Sequence, residues 1–184
     1  MPRPAPRTLE VIRSHFLTPH MLRVTLGGPE LANFPQDQES AYVKLIFPQP
    51  VDGHSLKRTY TISGQRQHEI DVDFAIHAGE GVASNWAMNA QPGNRILVGG
   101  PGPKKLINTI ADGFLLAGDM TALPAIKINL AHLPGDARGY VVLEVVDELD
   151  IQPLNPPPNI ELHWVVNSSA DISGSTLLHR IEQL

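Results

Sequence analysis

From Glu69 to Ile76 the residues Ile70, Val72, Phe74 and Ile76 alternate strictly with Glu69, Asp71, Asp73 and Ala75. A period of two sends one set of side chains to each face of an extended chain, so this stretch is a strand with one buried and one wetted face. Its neighbours are of the same kind. Leu9 to Phe16, Met21 to Leu26, Ala41 to Phe47, Lys57 to Ser63 and Asn94 to Gly99 are β-rich runs parted by turn residues, among them Thr18-Pro19 and Gly27-Gly28-Pro29. The 17 prolines and 15 glycines are spread along the whole chain, as short strands with tight connections require. Several short strands at close spacing favour a small closed barrel of antiparallel, Greek-key type, because closure removes exposed edges. Between the last two strands Ala83, Trp86, Ala87 and Ala90 follow helical spacing.

The rhythm changes after Pro101-Gly102-Pro103. Gly113 to Ala117 is wholly apolar and leads into a helix on which Leu123, Ile126, Leu130 and Leu133 share a face; Gly139 to Val146 and Ile160 to Val166 are further apolar strands, and Ser175 to Leu184 starts a helix. Continuous apolar strands alternating with helices point to parallel α/β organisation. The expected architecture is a barrel over residues 1–103 followed by an α/β unit over 104–184. With three strands, where nucleotide-binding sheets usually carry more, the second unit reads as incomplete and C-terminally short.

Composition removes several classes of function. A net charge of −5 and no Lys/Arg run longer than the pairs Lys57-Arg58 and Lys104-Lys105 argue against a nucleic-acid protein. The absence of cysteine excludes thiolate metal sites, iron–sulfur clusters and cysteine nucleophiles, so redox chemistry requires a bound cofactor. The eight histidines show no His-x-His, His-x-x-x-His or His-Glu-x-x-His spacing, and no metal site is expected. Ser55, Ser63 and Ser84 lack a Gly-x-Ser-x-Gly elbow. No apolar run approaches the roughly 18–20 residues that span a bilayer, and the N-terminus lacks a signal-peptide core, so no membrane partner and a cytoplasmic location are expected. The acidic stretch Glu144 to Asp150 reads as a solvated strand end and loop.

Three segments can carry chemistry. In Arg58-Thr59-Tyr60-Thr61 a phenol ring offers a flat surface, a guanidinium matches phosphate oxygens, and the threonines add hydroxyls. Arg58 and Tyr60 share one strand face while Thr59 and Thr61 lie on the other; an exposed edge strand explains the same residues. Gly79 and Gly81 precede a helix whose first turn holds Val82, Ala83 and Ser84, which suits phosphate approach but also ordinary capping, and His77 lies just before. Ala117-Gly118-Asp119-Met120-Thr121-Ala122-Leu123-Pro124 ends a buried strand and opens a helix, where open α/β sheets bind ligands. There Gly118 would give backbone access and Thr121 would cap the helix, although a structural turn accounts for the segment equally well.

Taken in order, these segments resemble the siderophore-interacting protein family, flavin-dependent ferric-siderophore reductases of the ferredoxin-reductase-like superfamily, over about Leu9 to Val166. The resemblance implies a first domain that binds FAD and a truncated NAD(P)-binding-like second unit. It implies that Tyr60 stacks on the isoalloxazine, Arg58 holds the pyrophosphate and Thr61 the ring edge. Thr59, His77, Gly81, Val82, Ala83 and Ser84 complete the FAD contacts, and Asp119 and Thr121 border the cleft that admits NADPH or NADH. Electrons would pass through FAD to the Fe(III) of a ferric siderophore and release Fe(II); some members take them from ferredoxin instead. Because ferric siderophores are often anionic, Lys44 and Lys127 are the candidate substrate contacts. Ser63 stands where the family often has arginine and Met120 where it prefers an acid, and the family's later Gly-Glu and tryptophan segments have no counterpart here. Two alternatives stay open: a general NAD(P)H:flavin oxidoreductase, and a flavin-binding module without reductase activity.

Overall fold

The computed structural model describes residues 5–48, 55–76, 81–168 and 174–184. Two compact units result: Met1–Leu17 with Leu22–Lys105, and Leu106–Leu184 with the short turn segment Thr18–Met21.

In the first unit the strands β1 (Arg7–Thr18), β2 (Met21–Gly27), β3 (Tyr42–Pro48), β4 (Ser55–Arg66), β5 (Glu69–Ala75) and β6 (Arg95–Gly99) form a closed barrel in the order β1-β2-β5-β4-β3-β6. β6 closes it, pairing antiparallel with β1 (Leu9↔Ile96) and with β3 (Leu45↔Val98). Alternation supplies the interior: Leu9, Val11, Val24, Leu26, Val43, Leu45, Ile62, Ile70, Val72 and Phe74 are all buried. A short helix, α1 (Val82–Met88), adds Ala83 and Ala87 to this core.

The outer face of the alternating strand is held by charge. Arg23 grips Asp73 through Nε and Nη2, both at 2.7 Å, and Arg66 grips Asp71 at 2.7 and 2.9 Å. Arg13 and Arg66 share Glu69, each at 2.8 Å from Oε2, and Thr25 donates to Asp71 at 2.7 Å. Burial pushes the Asp71 carboxyl up, but the hydrogen bonds from Arg66 and Thr25 and the charges of Arg66 and Arg23 outweigh it and leave the group below its ordinary value. The β4–β5 register shifts between Ile62 and Gly64, and a side chain at Gly64 would meet the Asp71 carboxylate at 2.9 Å. This bulge lets β4 run on to Arg66, three residues beyond the Ser63 end expected from pattern.

In the second unit β7 (Phe114–Gly118), β8 (Arg138–Val145) and β9 (Asn159–Val166) form a parallel sheet in the order β7-β8-β9. Helix α2 (Leu123–His132) buries Leu123, Ile126 and Leu130, with Leu133 just beyond, as the spacing requires. α3 (Ser175–Ile181) follows β9. A Cβ on Gly118 would lie 2.5 Å from Ala122 Cβ, so this glycine serves close strand–helix packing.

The expectation that Glu144 to Asp150 is solvated is overturned at both ends. Glu144 is 7% exposed and accepts a hydrogen bond from Leu177 N at 3.1 Å. Asp150 is wholly buried and accepts from the Thr18 hydroxyl at 2.7 Å, the His20 backbone at 2.9 Å and His20 Nδ1 at 2.7 Å. A carboxylate with three donors tolerates burial that an unpaired one does not. Desolvation pushes the Asp150 carboxyl up, yet the Thr18 and His20 hydrogen bonds dominate and hold it below the ordinary range.

A group held low in the folded state stabilises it above its unfolded pKa of about 3.9 and ceases to do so as pH falls through the folded value. Asp150→Asn is therefore expected to lower stability by about 1–3 kcal/mol at pH 7. The urea midpoint of the variant should also fall less than that of the wild type between about pH 5 and pH 3. Parallel acid limbs in the two proteins would count against this role for Asp150.

Candidate functional site

The site begins with the β3–β4 pairing, in which Val43 faces Tyr60, Lys44 faces Thr59 and Leu45 faces Arg58. Alternation puts Arg58, Tyr60 and Ile62 on the inner side of β4. Ile62 is fully buried, Tyr60 half-buried and Arg58 exposed, so the three lead from the core out to solvent.

The Tyr60 ring is supported from behind. Its centroid lies 4.5 Å from that of Phe74 at 41°, and Phe74 and Phe47 each lie 6.0 Å from Trp86 of α1. This tilted row fixes the phenol ring in orientation. Burial pushes the Tyr60 hydroxyl up against a smaller opposite effect from Arg58, so the ring is neutral at physiological pH. Sequence pattern marked Phe74 as core and Trp86 as helical, but not their contact; the signal lay in Phe74 falling on the apolar face of the alternating strand.

Arg58 differs from its neighbours in charge pairing. Arg13, Arg23 and Arg66 each hold a carboxylate, whereas among the described residues Arg58 donates only to the Lys57 carbonyl, at 3.1 Å. The hydroxyls of Thr59 (exposed) and Thr61 (half-buried, opposite Tyr42) have no hydrogen-bond partner among the described residues. In α1 the N-cap is Gly81, which supplies no side-chain cap, so the first-turn N–H groups of Val82, Ala83 and Ser84 have no acceptor among the described residues. A Cβ at Gly81 would lie 3.4 Å from Ser84 Oγ, so glycine keeps that hydroxyl clear. His77 lies outside the described residues.

Asp119 and Thr121, in the second unit, meet in one turn at the C-terminal end of β7. Asp119 Oδ1 accepts from Thr121 N at 2.8 Å, from Ala122 N at 3.3 Å and from the Thr121 hydroxyl. The helix entry is thus fastened by Asp119, and Thr121 donates to it. The sequence expectation had Thr121 as the cap. A carboxylate reaches two successive N–H groups while the hydroxyl here has its own proton to place. Met120, in the position where an acid is preferred in the family, is buried at 3% exposure. Lys44 is half-buried on β3 between Thr59 and Gly99, and Lys127 is exposed on α2; neither has a carboxylate partner among the described residues. No group of three or more potential metal ligands lies together among the described residues. No helix among them is long and apolar enough to cross a membrane.

Residues 10–55 and 50–105 match the siderophore-interacting FAD-binding domain, and residues 111–184 match the siderophore-interacting protein family. The chain belongs to the siderophore-interacting protein family. It is similar to the ferric vibriobactin reductase ViuB of Vibrio cholerae, 35% identical over 200 residues that cover 97% of this chain and 73% of that protein. It is also similar to the NADPH-dependent ferric-chelate reductase of Escherichia coli, 33% identical over 146 residues covering 69% of this chain and 57% of that one. The crystal structure of the siderophore-interacting protein SipS from Aeromonas hydrophila superposes with a TM-score of 0.86 at 34% identity, covering 100% of this chain and 75% of that chain.

The donor set of the barrel suits the FAD of this family. Among the described residues Arg58 is a fork-shaped cation without a counterion, Tyr60 is a supported neutral ring, and α1 opens with N–H and hydroxyl donors that lack acceptors. An anionic dinucleotide with a flat ring satisfies all three.

Removing the ring by Tyr60→Ala should weaken FAD binding by about 1–3 kcal/mol, the scale of a lost aromatic stack on a base. Tyr60→Phe should retain most of it, both read by titration of apo-protein with FAD; unchanged affinity in the alanine variant would sink the stacking assignment. Arg58→Ala should cost FAD about tenfold or more and FMN less, because only FAD carries the pyrophosphate. Equal losses for the two flavins would argue against that pairing.

Proposed function

We propose that this protein is a flavin-dependent ferric-siderophore reductase that passes electrons from NAD(P)H through FAD to Fe(III) and so releases Fe(II). The reading is carried by one observation: an arginine without a carboxylate partner among the described residues lies two residues from a ring-supported tyrosine, in a barrel matched to the siderophore-interacting FAD-binding domain. The names of ViuB and of the ferric-chelate reductase support the substrate class, and the latter supports NADPH as donor.

When bound, FAD would supply the redox chemistry, taking up two electrons with a hydride from NAD(P)H and giving them singly to two Fe(III) ions. The residues of the chain orient the reactants. Arg58 and the first turn of α1, with Ser84, neutralise and fix the pyrophosphate. Tyr60, braced by Phe74, sets the plane of the isoalloxazine, and Thr59 and Thr61 offer hydroxyls to its edge or to the ribityl chain. Asp119 and Thr121, at the carboxyl end of a parallel strand, contribute to nicotinamide binding where such sheets take ligands. Lys44 and Lys127 attract an anionic chelate towards a protein that is net negative. The reaction belongs in the cytoplasm, where NAD(P)H is available.

The deciding experiment is the visible spectrum of the FAD-loaded protein, followed under anaerobic conditions on adding NADPH or NADH and then a ferric siderophore. Flavin bands that bleach with nucleotide and return with the ferric chelate faster than with a simple dye are expected. Bands that never bleach would leave a flavin-binding module. Bleaching without preference for the chelate would indicate a general flavin oxidoreductase, and bleaching only by reduced ferredoxin would move the donor assignment.

A further inference from the structure

We propose that His163 is a proton-operated latch for α3. Neutral, it holds the helix on the sheet through Arg180; on taking a proton it releases Arg180 and turns to Glu161 instead.

The helix has little else to fasten it. α3 is seven residues long and buries none of them, and Leu178 is 56% exposed. A helix this short does not persist alone, so its contacts with the sheet keep it in place. Two of those contacts come from residues three apart, which share one face of a helix. Leu177 N donates to the buried Glu144 carboxylate at 3.1 Å, and Arg180 Nη2 lies 2.8 Å from His163 Nδ1. The parallel register sets Val142 of β8 beside His163 of β9 and Tyr140 beside Glu161. Alternation then places Tyr140, Glu144, Glu161 and His163 on the side of the sheet that α3 meets.

Arginine can only donate, so His163 Nδ1 accepts, and the imidazole is the neutral tautomer with its proton on Nε2. That Nε2 is buried and has no hydrogen-bond partner among the described residues. Glu161 Oε2 stands 3.6 Å from it, beyond hydrogen-bond reach, on a side chain that is 68% exposed and able to close the gap. A proton added at Nδ1 converts the acceptor facing Arg180 into a donor and sets two cations side by side. The same proton makes the ring an ion partner for Glu161. The other ionisable neighbours do not choose between the two states. Tyr140 stacks on the imidazole with ring centroids 6.1 Å apart, Glu144 is engaged by Leu177 N, and His179 is exposed with Gln183 Nε2 at 3.0 Å. Imidazole is the side chain whose charge changes between about pH 5 and pH 8, so α3 is fastened at the upper end of that range and loosened at the lower.

The test is hydrogen exchange of the whole protein at about pH 8 and about pH 5.5, read as protection factors so that the intrinsic pH dependence of exchange drops out. The amides of Leu178 and Glu182, bonded within α3 to the Gly174 and Leu178 carbonyls, should lose protection at least about fivefold at the lower pH while β8 keeps its own. His163→Asn puts an amide oxygen where Nδ1 stands and cannot take a proton, so α3 should stay protected at both pH values. Arg180→Met should leave α3 poorly protected at both. Nitrogen NMR of the wild-type imidazoles, with the His163 signals assigned by their loss in His163→Asn, should show the Nε2–H tautomer at the higher pH. Equal α3 protection at the two pH values in the wild type, a fall that persists in His163→Asn, or an Nδ1–H tautomer at the higher pH would overturn the latch. None of these readouts involves a flavin, so the reading of the barrel stands or falls separately.

Discussion

The first unit depends on the closing strand. β6 has five residues and pairs with β1 on one side and β3 on the other, so the row from β1 round to β3 becomes a barrel only through it. Closure removes the edges that a six-stranded sheet would expose, and it seals Leu9, Leu45, Ile96 and Val98 into one interior. The ladder of β6 with β3 ends at Ile46 and Leu97, although β3 runs on to Pro48 and β6 begins at Arg95.

The charges of this unit divide into a part that holds the barrel and a part left for ligands. Glu69, Asp71 and Asp73 lie on β5, and Arg13, Arg23 and Arg66 meet them from β1, β2 and β4. A buried carboxylate such as Asp71 is stable only with such partners, which is why this ladder combines a bidentate arginine with a threonine hydroxyl. With these arginines occupied, Arg58 stands apart, without a carboxylate partner among the described residues. Had Arg58 stood beside β5 acids, the guanidinium would have been consumed in the fold.

The sequence was legible where a residue's environment is set by its near neighbours. Alternation from Glu69 to Ile76 identifies β5 and its buried face, and the apolar run after Gly139 identifies β8. Arg58 and Tyr60 could be paired because two positions on a strand share a face. Legibility failed where distant segments meet. The Asp150 carboxylate is buried because Thr18 and His20, about 130 residues earlier, supply its donors, and no local pattern reports such a contact. Glu144 was misread for the same reason, since its donor is Leu177 N in α3. The extension of β4 to Arg66 was hidden by the bulge at Ser63 and Gly64, which shifts the period of two at that point.

A last consequence concerns the electrostatic field around the site. β3, β4, β6 and α1 contain no aspartate or glutamate, while the chain as a whole carries a net charge of −5. Lys44 and Lys57 therefore form a cationic wall on one face of two neighbouring strands, with Arg58 on the other face, and none of the three has a carboxylate partner among the described residues. Screening confines such a field to about 8–10 Å at ordinary ionic strength, so the negative remainder of the protein does not cancel it at the wall. The neutral ring of Tyr60 lies on the face of Arg58, away from the two lysines. On the proposed reading one anionic flavin uses Arg58, and Lys44 and Lys57 keep their charge on the opposite face of the two strands, where it attracts anions independently of the flavin.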